Sequence, residues 1–323
     1  TRPRIQEEEP QVHFEENPAP KATKPRSFIE SNTTQVSLDH LANECIIPVF
    51  RDNEKTVSHF EFVSAVGYVA NQFFNGAEIT PPDIRVSHQI NGRIPQALNK
   101  RVDQLEDWEK TRYYERMMFI MEIPSITEEI NGNRLNLTIG GVRALNHESL
   151  FSKKSIEKFK VFIGFQNLVC CNLMVSTDGA ALDLRVGSAA DLMKKVLELL
   201  TGYSATKHLR MLNEFARYHL SEHQFAQLIG KTRLYNHLPG AIKKELPMLD
   251  FTDSQINTIA HDYYHDGSFC RLPDGNIDLW RLYGLFTGSN KSSYIDTFLN
   301  RAVSATSFTQ GIVKAIEGDD SFG

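Results

Sequence analysis

The hydrophobic period changes once along this chain, near Ser188, and that change limits the folds open to it. Before it, apolar residues recur at every second position. Examples are Ile84, Val86 and Ile90 in "DIRVSHQINGRI" and Leu135, Leu137 and Ile139 in "RLNLTIGGV". A period of two is that of a strand with one buried face. After it, Leu192, Val196 and Leu199 of "AADLMKKVLELL" fall on one helical stripe, and "TKHLRMLNEFARYHL", "SEHQFAQLIGKTRLY", "TDSQINTIAHDYY", "IDLWRLYGLF" and "SSYIDTFLNRAVSATSFTQGIVKAI" read as further helices. Strands first and helices afterwards predict an α+β fold. Residues 36–186 form an antiparallel β-rich subdomain with hairpins, and residues 187–323 an all-helical subdomain packed on it.

Finer signals fill in the strand half. "RMMFIMEIP", "KFKVFIGF" and "LDLRVG" read as strands, and "ITEEI" as a link between two of them. The dipeptides Asn91-Gly92 and Asn131-Gly132 each predict a tight hairpin turn. "SHFEFVSAVGYVANQFF" spaces Phe62, Val66 and Val69 as a helix, while "NLVCCNLMV" fits a strand or a buried helix equally. Asn136 and Thr138 alternate with the leucines of their strand, so the sheet is expected to expose one polar side. Residues 1–35, acidic and proline-rich with no apolar period, read as a disordered tail.

No apolar run approaches the ~18 residues of a membrane span, so no membrane association is expected. Cys45, Cys170, Cys171 and Cys270 form no C-x-x-C pair, which favours a reducing cytoplasm over a disulfide framework or a zinc site. The net charge of −5 is unevenly spread. Residues 80–165 hold thirteen basic against eleven acidic side chains and residues 187–247 nine against five, whereas both ends are acidic. A mildly basic middle permits an anionic partner.

Motifs that suggest catalysis fail on spacing. In "GLFTGSNKSS" Gly284 and Gly288 stand four apart, Asn290 precedes Lys291, and the approach is helical, whereas a phosphate loop needs G-x-x-x-x-G-K-[ST] after a strand. The segment reads instead as a joint in which Gly288 ends one helix and Ser293, with Asp296, caps the next. "HLSEH" places His219 and His223 at zinc-site spacing, but Ser221 to Gln224 forms a capping box that starts a new helix between them. His261 and His265 sit at a helix C-terminus, where they suit the dipole. No cofactor or metal is expected, and no residue is nominated as catalytic.

One pattern points to a partner. Arg85, His88 and Arg93 gather in "RVSHQINGR", and Arg112, Tyr113, Tyr114 and Arg116 follow in "KTRYYERM". Cations interleaved with rings suit single-stranded nucleic acid, since charge follows the phosphates and rings stack on bases. A solvated sheet face with tyrosines packed at a lobe boundary accounts for the same pattern. Lys291 joins the set as an anion contact if it faces the basic sheet.

The stretches "RVSHQINGRIPQAL", "YYERMMFIMEIP", "LNLTIGGVRALN", "VFIGFQNLVCCNLMVSTDG" and "LWRLYGLFTGSNKSSYIDTFLNR" resemble an uncharacterised family of phage- and plasmid-associated proteins in gut bacteria of the Bacteroides type. The likeness runs from about Cys45 to Ile316. It implies a cytoplasmic protein carried on mobile elements and supplies no catalytic residue. The expectation is therefore a non-enzymatic, single-stranded-DNA-associated accessory protein. An enzyme on a nucleotide or phosphorylated substrate and a protein-interaction scaffold are the alternatives.

Overall fold

The computed structural model describes residues 27–47, 56–148, 156–244, 246 and 249–318. The chain runs through β1 (Thr34–Val36), α1 (Leu38–Asn43), α2 (His59–Phe73), β2 (Asp83–Val86), β3 (Gln89–Arg93), β4 (Lys110–Tyr114), β5 (Arg116–Ile130), β6 (Asn133–Ala144), β7 (Glu157–Asn167), β8 (Leu173–Met174) and β9 (Ala180–Val186). Then follow α3 (Ala189–Gly202), α4 (Ala205–Phe215), β10 (His219–Leu220), α5 (Glu222–Tyr235), α6 (Gly240–Lys243), α7 (Asp253–His265), β11 (Ile277–Asp278), α8 (Leu279–Ser289) and α9 (Ile295–Ile316). The α+β class holds. The expected division into a strand half and a helical half does not, because α1 and α2 interrupt the strands and β10 pairs with β11 among the helices.

The main sheet is antiparallel, ordered β1-β2-β5-β6-β7-β8, with β9 also paired to β7. Asn131 (φ 48°) and Gly132 (φ 70°) take the left-handed conformation and turn β5 into β6, as the dipeptide predicts. Asn91-Gly92 makes no turn. It lies inside β3, opposite Arg112 and Thr111. A β-carbon at Gly92 would sit 2.8 Å from Thr111 Oγ1, so this glycine serves close strand approach. "ITEEI" is not a link but part of β5, beyond a register shift between Ile123 and Thr127. Pro124, which cannot donate to the ladder, lies within that shift. "NLVCCNLMV" resolves into a turn, with Cys171 at φ 58°, and the short β8.

Both faces of the sheet are covered, contrary to the expected polar side. On one, Phe62 and Val66 of α2 and Val196 of α3 join Met117, Phe119, Ile139 and Phe159 in the larger core. On the other, Phe298, Leu299 and Ala302 of α9 pack with Met118, Ile120, Val142 and Phe162. Thr138 and Asn136 are buried, and Asn136 is satisfied there: its amide donates to Glu122 and its carbonyl accepts from Thr127, both at 2.7 Å. A polar residue with local partners costs little to bury, so alternation alone did not reveal exposure. Residues 1–26 of the expected tail lie outside the described residues. From Phe28 the chain is already packed, with Phe28 and Ile29 in the α9-side core and β1 paired to β2.

A buried ionic network fixes the entry to α2. Arg143 is fully buried and meets Glu157 at 2.7 Å and Glu148 at 3.5 Å. The Glu157 carboxylate accepts from the Val57 amide while Arg143 donates to the Val57 carbonyl, so both backbone groups ahead of the Ser58 cap are held. Ser58 and Glu61 then close a capping box. Beside them His59 Nε2 donates to the Tyr114 carbonyl at 2.8 Å. Burial, reinforced by Arg143, pushes the His59 pKa down to about 3, so the ring stays neutral.

The segment "GLFTGSNKSS" is a buried joint, and its details differ from the predicted caps. Helix α8 runs past Gly288 to Ser289, a 3-10 turn spans Asn290–Ser292, and α9 is capped at Tyr294 without a side-chain bond. Ser293 donates instead to Asn290 Oδ1 (2.7 Å) and accepts from Gln255 and Arg301, both at 2.9 Å. Gly284 is a packing glycine, since a β-carbon there would lie 2.4 Å from the Phe269 ring.

Candidate nucleic-acid interface

β3 and β4 pair only with each other among the named strands, as a two-stranded ribbon apart from the main sheet. Residues 94–109 close its far end through 3-10 turns at Pro95–Ala97, Val102–Gln104 and Asp107–Glu109. The register pairs Arg93 with Lys110, Asn91 with Arg112 and Gln89 with Tyr114, and Ile90 with Tyr113 between them. Paired residues share a face and alternate positions change it. Arg93, Lys110 and Arg112 therefore stand on one face of the ribbon, with Tyr114 at its base.

Each cation on this face has a weak tether. Arg112 meets Glu44 at 3.6 Å, Lys110 meets Asp107 at 2.6 Å, and Arg93 donates to the Lys100 carbonyl. Exposed pairs of this kind contribute little to stability and exchange readily for a phosphate. At the far end Trp108 is 67% exposed, with Leu98 and Val102 also open to solvent.

The other expected members do not join that face. Tyr114 is buried, its hydroxyl 2.9 Å from His40 Nε2, so its ring cannot stack on a base. Tyr113 lies on the opposite ribbon face. His88 is exposed at the bend between β2 and β3. Arg85 and Arg116 alternate with the core residues Val86 and Met117, which places both on the α9 side of the main sheet. There Arg85 pairs with Asp83 (3.1 Å), and Arg116 with Glu115 (3.4 Å) and Asp296 (3.5 Å). Lys291 is buried in the α8–α9 joint. Its amine donates to the Cys170 carbonyl and lies 3.7 Å from Glu30, so it does not face the ribbon. Tyr114 thus points to the α1–α2 side and Arg116, two residues on, to the α9 side. The break at Glu115 between β4 and β5 divides the expected cluster in two.

The histidine motifs are helix boundaries. His219 lies in β10, Ser221 caps α5 with Gln224 as its capping-box partner, and His223 is inside the helix. His261 and His265 stack at the end of α7, with ring centroids 4.4 Å apart.

A family model described as "Domain of unknown function, B. Theta Gene description (DUF3871)" matches residues 8–323. The chain belongs to this family. Comparison with curated proteins and with solved structures returns no match. The DUF3871 description names no activity, so the candidate site of this DUF3871 chain rests on its own geometry. Two features escaped sequence reasoning. Trp108 sits in an irregular segment with no period to flag it. Lys158 and Lys160, on the α9 side of the sheet, were legible in "EKFKVFIGF", where they alternate with Phe159 and Val161.

Proposed function

We propose that this chain is a non-enzymatic accessory protein that binds single-stranded DNA along the β3–β4 ribbon. The observation that carries the reading is the exposed ring of Trp108 two residues from Lys110, on a ribbon whose single face gathers Arg93, Lys110 and Arg112. Cations follow a phosphate backbone without regard to sequence, and an exposed ring takes an unpaired base; a duplex offers no such base. Free thiols at Cys45, Cys170 and Cys270 support a cytoplasmic setting. The mobile-element setting rests on sequence resemblance alone. No helix among the described residues is long and apolar enough to cross a membrane.

The test is fluorescence anisotropy of a labelled oligothymidylate. Binding at low salt should weaken as salt rises, with log K falling by about 0.7 per phosphate contacted. The double variant Arg93→Ala/Arg112→Ala should bind about tenfold more weakly and flatten the salt slope by about 1.4. Both side chains are exposed or half-buried, so folding should survive. No binding at low salt overturns the reading. A second reading, contact with a protein partner, is favoured by the exposed apolar trio Leu98, Val102 and Trp108. It predicts that substitution of that trio removes a partner while the two arginines are dispensable.

A further inference from the structure

The α9 side of the sheet holds a cavity of about 440 Å³, lined by Val142, Ala144, His147, Lys158, Phe159, Lys160, Leu182, Asp183 and Asn300. Register explains its charge. Lys160 pairs with Val142, Arg116 with Ala144, and Lys158 with Arg185. Cations on this face therefore stand beside the small apolar residues Val142 and Ala144, which leave space open next to them.

The carboxylates nearby are already engaged by other cations. Asp296 meets Arg116 at 3.5 Å and His147 at 3.7 Å, and it accepts from the Asn146 amide at 3.3 Å. Asp183 meets Arg185 at 3.0 Å. Lys160 reaches only neutral acceptors, the Asp296 carbonyl at 2.6 Å and Asn300 Oδ1 at 2.7 Å, and lies in no ion pair among the described residues. Lys158 Nζ has no hydrogen-bonding or ion-pair partner among them. Two ammonium groups thus line one half-enclosed cavity without an ion pair among the described residues, beside the imidazole of His147. Asp296, Asp250 and Asp183 act on Lys160 only at longer range, and Asp250 lies 3.8 Å from Arg301. Burial holds the Lys160 pKa below its ordinary value, which a bound anion would reverse.

We propose that this cavity binds a phosphate monoester, its dianionic phosphoryl group held by Lys158, Lys160 and His147 and its organic body against Val142, Ala144 and Leu182. The volume lies in the range of small-molecule sites, and paired ammoniums with an adjacent donor suit a compact dianion. The site is separate from the ribbon, on the opposite side of the sheet from Tyr114.

Phenyl phosphate and inorganic phosphate are the probes. Phenyl phosphate at saturation should raise the melting temperature by about 2–4 °C, and inorganic phosphate by less. Lys158→Met should melt like the parent without ligand and lose the shift. Line broadening of the phenyl phosphate phosphorus resonance by the parent, but not by this variant, reads the same contact without melting. The Arg93→Ala/Arg112→Ala variant should keep the phenyl phosphate shift, which separates this site from DNA binding. Absence of both shift and broadening, retention of either in Lys158→Met, or an equal shift with inorganic phosphate would overturn the assignment.

Discussion

Replacing Arg143 by alanine is expected to destabilise the fold by about 3–5 kcal/mol, read as a lower midpoint of urea unfolding with an unchanged slope. The size follows from what the guanidinium leaves behind. Glu157 and Glu148 are 3% and 9% exposed, and both buried carboxylates would lose the Arg143 guanidinium. The Arg143 guanidinium also lies 4.6 Å from the centre of the Phe159 ring, in the larger core. Loss of the Val57 contacts would loosen the approach to the Ser58 cap, so the first turn of α2 should lose amide-exchange protection before the sheet does. A midpoint unchanged within error would show that the network does not hold α2 in place.

Gly140→Ala should be nearly as damaging, costing about 2–4 kcal/mol or preventing folding. Its backbone is ordinary extended strand, so conformational freedom is not the issue. A β-carbon there would stand 2.1 Å from the Phe119 carbonyl oxygen and 2.8 Å from the Phe162 ring. The first contact is with backbone of the paired strand β5, which cannot swing aside as a side chain can. Gly187→Ala is the control: nothing lies within 4 Å of the added carbon, and the change should stay within about 0.5 kcal/mol. Thermal melts of the two variants side by side check the contrast. Similar melting temperatures would remove the close-approach argument.

Local patterns carried most of the element assignments. The capping box at Ser221 and the Asn131-Gly132 turn each rest on contacts within a few residues, and both are present in the structure. Assignments that depend on what lies across the strand did not survive. Asn91-Gly92 has the composition of a turn, but its glycine answers to Thr111, nineteen residues away. Asn136 and Thr138 have the polarity of a solvent face, but α9 covers that side of the sheet and Asn136 finds its partners on β5. The candidate site was half legible. Arg93 and Arg112 meet on one face because β3 and β4 pair in register, whereas the irregularity at Glu115 sends Arg116 to the other side of the sheet, where the pairing of β2 with β5 also places Arg85. No spacing rule marks that break. Lys291 looked available in a polar segment; its fate was decided by Cys170 and Glu30, both far away in sequence.

Intrinsic tryptophan fluorescence tests the DNA-binding claim most directly. The chain has two tryptophans, of which Trp280 is 2% exposed and Trp108 67%. Stacking of a base on the ribbon tip should therefore quench one emitter and leave the other. Titration with oligothymidylate at low salt should give a saturable, salt-reversible quench that Trp108→Phe abolishes and Arg93→Ala/Arg112→Ala shifts to higher DNA concentration. Unchanged emission through saturating oligothymidylate, or an identical quench in the double-arginine variant, would contradict the account.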